Sequence, residues 1–133
     1  MAQIERMAEI IARKRWMGQA YTARLRGIPG LQLPVEESWA RHVYWMYGLV
    51  LDESMRMDAT EFARRLREYS VETRPFFLGM HEQPVFQQMG LFVDEHYPVA
   101  ERVARQGLYL PSGLALTEAQ LDQVCEAVQK VLA

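Results

Sequence analysis

The chain has 133 residues, a hydrophobic fraction of 50% and a formal net charge of −2. This size and composition fit one folded domain with its own core, and the small net charge gives no electrostatic reason to expect nucleic acid or a membrane surface as a partner. No apolar run approaches the roughly 20 residues that a membrane-spanning helix needs. The single cysteine, Cys125, excludes an internal disulfide and a cysteine-cluster metal site, and it fits a cytoplasmic location.

The first predicted element is one long helix over residues 3–27, because apolar residues recur there near the helical period. Gly27 and the Pro-Gly pair that follows it end the helix. Its basic run of Arg13, Lys14 and Arg15 could bind phosphate, but a solvated helix face is favoured.

Three short strands are predicted after this helix. The segment RHVYWMYGLVLD, residues 41–52, is rich in aromatic and β-branched residues and is the best strand in the chain. Both of its alternating sets are largely apolar, so this strand is expected to be covered on both faces or to meet a partner. The other two are SVETRPFF at residues 70–77, ended by Pro75, and LYLP at residues 108–111.

Helices are predicted between and after these strands. Asp58 with Glu61, and Thr117 with Gln120, have the spacing of capping boxes and begin two of the helices. The expected helices start at Asp58 and cover residues 85–88, 98–106 and 118–132. The order of elements predicts an α+β two-layer sandwich, in which a sheet of about three strands carries helices on one face.

The segment TRPFFLGMHEQPVF, residues 73–86, contains the best candidates for ligand contact. No helical or strand period runs through it, and loops on a rigid scaffold are where binding groups lie. Arg74 and His81 are the candidates, and the alternative for Arg74 is a surface salt bridge with Glu72 or Glu82.

The two phenylalanines of the same segment, Phe76 and Phe77, are expected to pack in the core rather than to contact a ligand. Two histidines outside the segment have simpler interpretations: His42 is expected to pack at a strand, and His96 to be solvated. Cys125 is expected to be a buried structural thiol.

The common catalytic and metal-binding motifs are missing from the sequence. There is no G-x-G-x-x-G, no P-loop and no H-E-x-x-H, since Val85 stands where the second histidine would be needed. No metal site is therefore expected. Composition alone leaves open a triad of Ser112, His96 and Asp94, although the segment around Ser112 lacks a nucleophile elbow.

Several ordered blocks of the sequence resemble one enzyme family. The blocks RHVYWMYGLVLD, ETRPFFLGMHEQPVF and YPVAERVARQGLYLPSGLALTEAQLDQVCEAVQKVL are similar to the C-terminal domain of DegT/DnrJ/StrS-type nucleotide-sugar aminotransferases, and most similar to the perosamine-synthase-like branch. The resemblance implies that residues 1–30 form a helix leading from a large domain, and that residues 31–133 form the small domain of an aspartate-aminotransferase fold.

The resemblance also implies the reaction and the partners. Such enzymes use pyridoxal phosphate (PLP) to move an amino group from glutamate to a nucleotide-linked keto sugar, and they work as homodimers. PLP chemistry needs a buried Schiff-base lysine, whereas Lys14 and Lys130 are both expected to be solvated. The family's lysine lies upstream of the matched blocks. The chain is therefore expected to contain no catalytic or cofactor-binding residue, to be inactive alone, and to need a large PLP-binding domain as partner.

The family's site residues can be matched position by position. Arg74 and His81 stand where the family places polar groups at the substrate cleft, and Phe76 and Phe77 would wall that cleft. An arginine suits the carboxylate of glutamate or a diphosphate, because its fork can donate two parallel hydrogen bonds. His81 would contact a sugar hydroxyl or a phosphate. The dipeptide before it, Gly-Met, departs from the family's commoner Pro-Leu and puts the shape of the loop in doubt.

Two other functions stay open. The chain could be a stand-alone interaction or regulatory module derived from this domain, which would use the apolar faces of residues 41–52 for a partner. It could also be an unrelated enzyme that uses His81 and Glu82. If the chain is instead the small domain of an aminotransferase, it is expected to be a separately produced domain, a truncated gene product or a fragment of a longer enzyme.

Overall fold

The computed structural model describes residues 2–133. The elements, in chain order, are α1 Ala2–Glu5, α2 Met7–Leu25, β1 Leu31–Gln32, β2 Tyr47–Leu51, α3 Ala59–Glu68, β3 Arg74–Pro75, α4 Pro84–Gln88, α5 Pro98–Gln106, β4 Gly107–Leu110 and α6 Glu118–Leu132, with short 3-10 turns at Glu53–Met55 and Met80–Glu82. No helix in this described range is both long and apolar enough to cross a membrane.

The four strands form one antiparallel sheet in the order β1-β2-β4-β3. The α+β class is confirmed, with one strand more than expected. The missed strand, Leu31–Gln32, is only two residues long and pairs with the end of β2, so it carries no period that a sequence could display. The division of the chain at residue 30 stays a prediction, although α2 contributes to the same core as the rest of the chain.

The strand predicted over residues 41–52 is shorter than expected and begins at Tyr47. Tyr44 has a φ of 48°, in the left-handed region, which interrupts the extended backbone. The side chain of His42 stabilises this turn: its Nδ1 accepts the Tyr44 N–H at 2.8 Å, and the two rings stack at 4.1 Å. His42 thus packs on an aromatic ring as expected, but in a turn rather than at the start of a strand.

The core lies on one face of the sheet. Every second residue of β2 and β4 points to it, and α2, α3 and α6 pack against it with apolar residues spaced three or four apart. Its fully buried members include Tyr21, Leu25, Tyr47, Leu49, Leu51, Phe62, Leu66, Leu108, Leu121 and Val128. Cys125 is buried in the same cluster, as expected, and burial raises the pKa of its thiol to about 11.

The basic run of α2 is not the solvated face that was favoured. Arg13 donates to the carbonyls of Leu114 and Leu116, and Arg15 donates to the carbonyl of His42. Lys14 makes the same kind of contact, described below. These cations hold loops of their own chain against α2, which leaves neither a solvated face nor a phosphate site. A sequence window cannot show this, because the carbonyls lie 27 to 103 residues away.

Both predicted N-cap residues are present, but only one of the two predicted capping boxes is complete, because the Glu61 carboxylate pairs with Arg64 and Arg65 instead of bonding back to Asp58. Asp58 accepts the Glu61 N–H at 2.8 Å at the start of α3. At the start of α6, Thr117 accepts the Gln120 N–H at 3.3 Å, and Gln120 accepts the Thr117 N–H at 2.9 Å. This reciprocal pair satisfies two N–H groups that the helix itself leaves free.

Removing the cap of α6 should lower stability. We expect Thr117→Ala to reduce the free energy of unfolding by about 1 kcal/mol, measured by urea denaturation, because an N-cap hydroxyl is worth roughly that much. Thr60→Ala, at an exposed position inside α3, is the matched control and should change stability little. Equal stabilities for the two variants would contradict the role given to the cap.

Candidate functional site

Arg74 lies at a groove of about 470 Å³ at one end of the sheet. The groove runs between β3, the end of β4 and the turn before β2. Its lining includes Trp45, Arg74, Tyr109 and Ser112. Arg74 is opposite Tyr109 in the β3–β4 ladder, so the sheet itself fixes where the arginine emerges.

Arg74 is exposed and forms no ion pair within the described part of the chain. The two acids that were its expected partners are engaged elsewhere. Glu72 pairs with Arg67 at 3.3 Å, and Glu82 pairs with Arg105 at 2.5 Å. The salt-bridge alternative for Arg74 is therefore wrong, and its guanidinium is free to meet an anion at the groove.

Lys14 holds the two walls of this groove together. Its Nζ donates to the carbonyl of Trp45 at 2.9 Å and to the carbonyl of Ser112. The Ser112 hydroxyl in turn accepts the Tyr47 N–H at 3.0 Å and donates to the carbonyl of Leu110 at 2.7 Å. The expectation that Lys14 is solvated is wrong: it is half-buried, and desolvation lowers its pKa.

The described residues do not fit PLP as a resident cofactor. The Lys14 ammonium is bound to two backbone carbonyls, and Lys130 is exposed on α6 beside Glu126 at 3.8 Å. Neither amine faces a cavity in which an aldehyde could be held. A cofactor that needs a Schiff-base lysine must obtain it from another polypeptide segment.

The open triad is not assembled. Ser112 is bonded to backbone groups at the Arg74 groove, whereas His96 and Asp94 line a different cavity. His96 is 83% exposed, as expected for a solvated residue. Residues 2–133 hold no cluster of three or more histidine, cysteine or acidic side chains that could ligate a metal ion.

Phe76 packs on the face of the sheet opposite the core helices α2, α3 and α6, where Val103 of α5 also lies. Its ring lies 4.2 Å from the Tyr109 ring and over the backbone of Gly48 and Gly107. A Cβ at Gly48 would lie 2.7 Å from the Phe76 ring, and one at Gly107 would lie 2.2 Å from it. The two glycines therefore make the space that this ring fills.

Phe77 does not pack in the core, so that expectation is wrong. Its side chain is 70% exposed, while Phe76 is half-buried. The two adjacent rings differ because successive residues of an extended segment point to opposite sides. The Phe76 ring lies over the sheet, whereas the Phe77 ring reaches only the outer side of Tyr109, at 6.1 Å between ring centroids.

The space under Phe76 should make Gly48 intolerant of a side chain. We expect Gly48→Ala to lower the free energy of unfolding by about 1–3 kcal/mol, as overpacking does. In the Phe76→Ala background the same change should have almost no effect, because the ring that clashes is gone. Denaturant unfolding of the four variants measures this coupling, and additive effects would show that the ring does not occupy this space.

His81 is buried and faces α5. It is 8% exposed, its Nε2 lies 3.2 Å from a Glu101 carboxylate oxygen, and its ring lies 4.8 Å from the ring of Tyr97. Gly79 permits this packing, since a Cβ there would lie 2.6 Å from the imidazole. The unusual glycine before the histidine thus sets the path of the loop.

Arg74 and His81 are not brought into one cavity. His81 lines a separate cavity of about 360 Å³ with Glu82, Glu101 and Arg105. The sequence reasoning missed Glu101, which lies 20 residues from His81 and has no local motif that would mark it.

The pKa of Glu101 is held below its ordinary value. The main cause is the backbone N–H of Tyr97, which donates to the carboxylate at 2.8 Å, and the His81 contact adds to it. A carboxyl whose pKa is lower in the folded state stabilises the fold above its unfolded pKa. This contribution is lost as the pH falls through the folded pKa.

Replacing Glu101 should therefore flatten the acid side of the stability profile. We expect the free energy of unfolding to fall less in Glu101→Gln than in the wild type when the pH is lowered from neutral to below the ordinary pKa of glutamate. Urea unfolding at a series of pH values measures this difference. Glu126→Gln, which removes an exposed acid with a single lysine at 3.8 Å, is the control and should keep the wild-type slope.

Comparison with known proteins places these features in a family. Residues 1–129 match the DegT/DnrJ/EryC1/StrS aminotransferase family. Two curated relatives are GDP-perosamine synthases: the one from Vibrio cholerae is 27% identical over 129 residues, and the one from Caulobacter vibrioides is 32% identical over 134 residues. The alignments cover 97% and 99% of this chain and 34% and 35% of the relatives.

A solved structure agrees with these relatives. The crystal structure of the aminotransferase TlmJ from Streptoalloteichus hindustanus matches with a TM-score of 0.83 and 26% identity. The match covers 98% of this chain and 34% of that one. The chain thus spans about a third of the length of the relatives it matches.

Proposed function

Because the chain belongs to the DegT/DnrJ/EryC1/StrS aminotransferase family, we propose that it forms one wall of the substrate cleft of a sugar aminotransferase. In this proposal a large domain, which carries the Schiff-base lysine and the PLP of this PLP-dependent family, forms the other wall. The chain alone is inactive and does not hold the cofactor. The reaction moves an amino group from glutamate to a nucleotide-linked keto sugar.

The observation that carries the proposal is the free guanidinium of Arg74 at its groove. An exposed arginine without an acidic partner can donate two parallel hydrogen bonds to a carboxylate or a phosphate. Both anions occur in the proposed substrates. Phe76 and the exposed Phe77 follow Arg74 after Pro75 and would supply an apolar wall beside the arginine.

His81 has two proposed roles. Contact with a sugar hydroxyl or a phosphate stays a prediction. The hydrogen bond to Glu101 supports a positioning role, in which His81 holds the 3-10 turn Met80–Glu82 against α5. That turn follows the segment of Phe76 and Phe77, so the contact helps to keep the proposed wall in place.

The partner surface is proposed from the distribution of exposed apolar side chains. Among the residues that the structure describes, nine of the 17 exposed large hydrophobic side chains fall between residues 77 and 99. A concentration of this kind marks interaction surfaces rather than ordinary solvent-facing chain. We assign this segment to contact with the lysine-bearing domain, in an enzyme that works as a homodimer in the cytoplasm. A buried, unpaired Cys125 is consistent with a reducing compartment.

The stand-alone interaction module is not favoured. The chain matches aminotransferases along nearly its whole length. An unrelated enzyme using His81 and Glu82 has no support either, because Glu82 is paired with Arg105 and His81 with Glu101.

A chimera tests the proposal. This chain replaces the matched third of the Caulobacter vibrioides GDP-perosamine synthase, and amino transfer is followed with varied nucleotide sugar and varied glutamate. We expect an active chimera in which Arg74→Ala raises one of the two KM values by about ten- to a hundredfold, the effect of losing a charged hydrogen bond. Arg64→Ala is the control, since Arg64 lies on α3, away from the groove, and pairs with Glu61 and Glu68.

Two results would contradict the proposal. One is a chimera that folds and shows the PLP absorbance band yet transfers no amine. The other is an active chimera in which Arg74→Ala behaves as Arg64→Ala does.

A further inference from the structure

Trp45 has a fixed backbone, but its indole side chain is not packed against the rest of the protein. Its side chain is 67% exposed, and it lines the same groove as Arg74. Its backbone is fixed on one side by the Lys14 hydrogen bond to its carbonyl, and β2 begins two residues later. A large aromatic side chain on a fixed backbone, open to solvent beside an unpaired cation, is typical of a ligand platform rather than of a core residue.

The groove combines two recognition groups that fit one class of molecule. An exposed indole offers a face on which a nucleobase can stack, and the guanidinium of Arg74 offers a fork for phosphate oxygens. Its volume of about 470 Å³ lies in the range of small-molecule sites. We propose that this groove binds the nucleoside diphosphate part of the substrate, with the base stacked on Trp45 and the diphosphate bound by Arg74.

The charges around the groove agree with an anionic ligand. Glu72 is the only acid among its lining residues, and Arg67 neutralises it at 3.3 Å. Lys14 lies beneath the rim and adds positive charge where it joins Trp45 to Ser112. A diphosphate in the groove would therefore lie near two cations, Arg74 and Lys14. It would meet no unpaired acid among the residues that line the groove.

This inference rests on the proposed function and narrows it. The proposed function allowed Arg74 to bind either a carboxylate or a diphosphate. The inference assigns the diphosphate to it. The glutamate carboxylate must then be bound elsewhere in the assembled cleft. Discrimination between bases is expected to be modest, since stacking is tolerant of base identity.

Tryptophan fluorescence of the isolated chain tests the site. GDP is titrated against the wild type, with excitation at the red edge of the indole band, where guanine hardly absorbs. We expect saturable quenching in the wild type and in Trp39→Ala, and its loss in Trp45→Ala. Trp39 is the matched control because it is 84% exposed and does not line the groove. The third indole, Trp16, lies under Arg13 at 3.9 Å.

The two halves of the ligand are separated with smaller probes. Guanosine should quench Trp45 weakly, and Arg74→Gln should not alter its apparent Kd. Inorganic pyrophosphate should bind without quenching. For GDP, Arg74→Gln should raise the apparent Kd by about ten- to a hundredfold, whereas Arg64→Gln should leave it unchanged. Calorimetry of Trp45→Ala gives a second readout, in which the Kd for GDP should rise by at least about fivefold.

Three results would overturn the inference. They are the absence of saturable GDP binding, equal quenching in Trp45→Ala and Trp39→Ala, and pyrophosphate binding as tight as that of GDP. Circular dichroism shows that each variant is folded before it is titrated. If the Arg74→Ala chimera still shows a raised KM for the nucleotide sugar, such a result overturns only the stacking of the base on Trp45. If that KM is unchanged as well, the proposed cleft is overturned with it.

Discussion

The ammonium of Lys14 joins three parts of the molecule at one point. It projects from α2 and binds the carbonyl of Trp45, in the turn before β2, and that of Ser112, after the end of β4. A half-buried cation is costly to leave without acceptors, so the two carbonyls and the ammonium constrain one another. The groove beside Arg74 has its shape because these two segments cannot separate.

The sheet serves two purposes because its faces differ. One face is covered by α2, α3 and α6 and carries the core. The other face has Gly48 and Gly107 where side chains would otherwise stand, and the ring of Phe76 lies over them beside Tyr109. The core thus lies on the face of α2, α3 and α6, and the segment that carries Arg74, Phe76 and Phe77 is attached to the sheet by the β3–β4 ladder and by the packing of Phe76.

Local sequence signals predicted the helices reliably. The helices over residues 98–106 and 118–132 were predicted with their bounds, because proline at the first turn and a capping box act within a few residues. Longer-range features were predicted less well. A strand was predicted over residues 41–52, but the first half of this segment forms a turn. The ring of His42, which stacks on Tyr44, stabilises that turn.

The composition of the loop at residues 73–86 singled out Arg74 and His81, and the family resemblance added their expected place at a substrate cleft. Neither of these showed that the two side chains line separate cavities, nor that Glu101 accepts or donates the hydrogen bond that holds the histidine. Both facts depend on where α5 crosses the loop, and no spacing within residues 73–86 contains that information.

The sequence by itself determined the α+β class, the helix starts, the buried thiol and the family, because each of these rests on local pattern or on ordered motifs. Only the tertiary structure decided what the basic run of α2 does, which of two adjacent phenylalanines is covered, and that Arg74 has no acidic partner among residues 2–133. The physical reason is the same in each case. These properties belong to pairs of groups that are far apart in the chain, and a side chain's partner is decided by packing rather than by its own residue type.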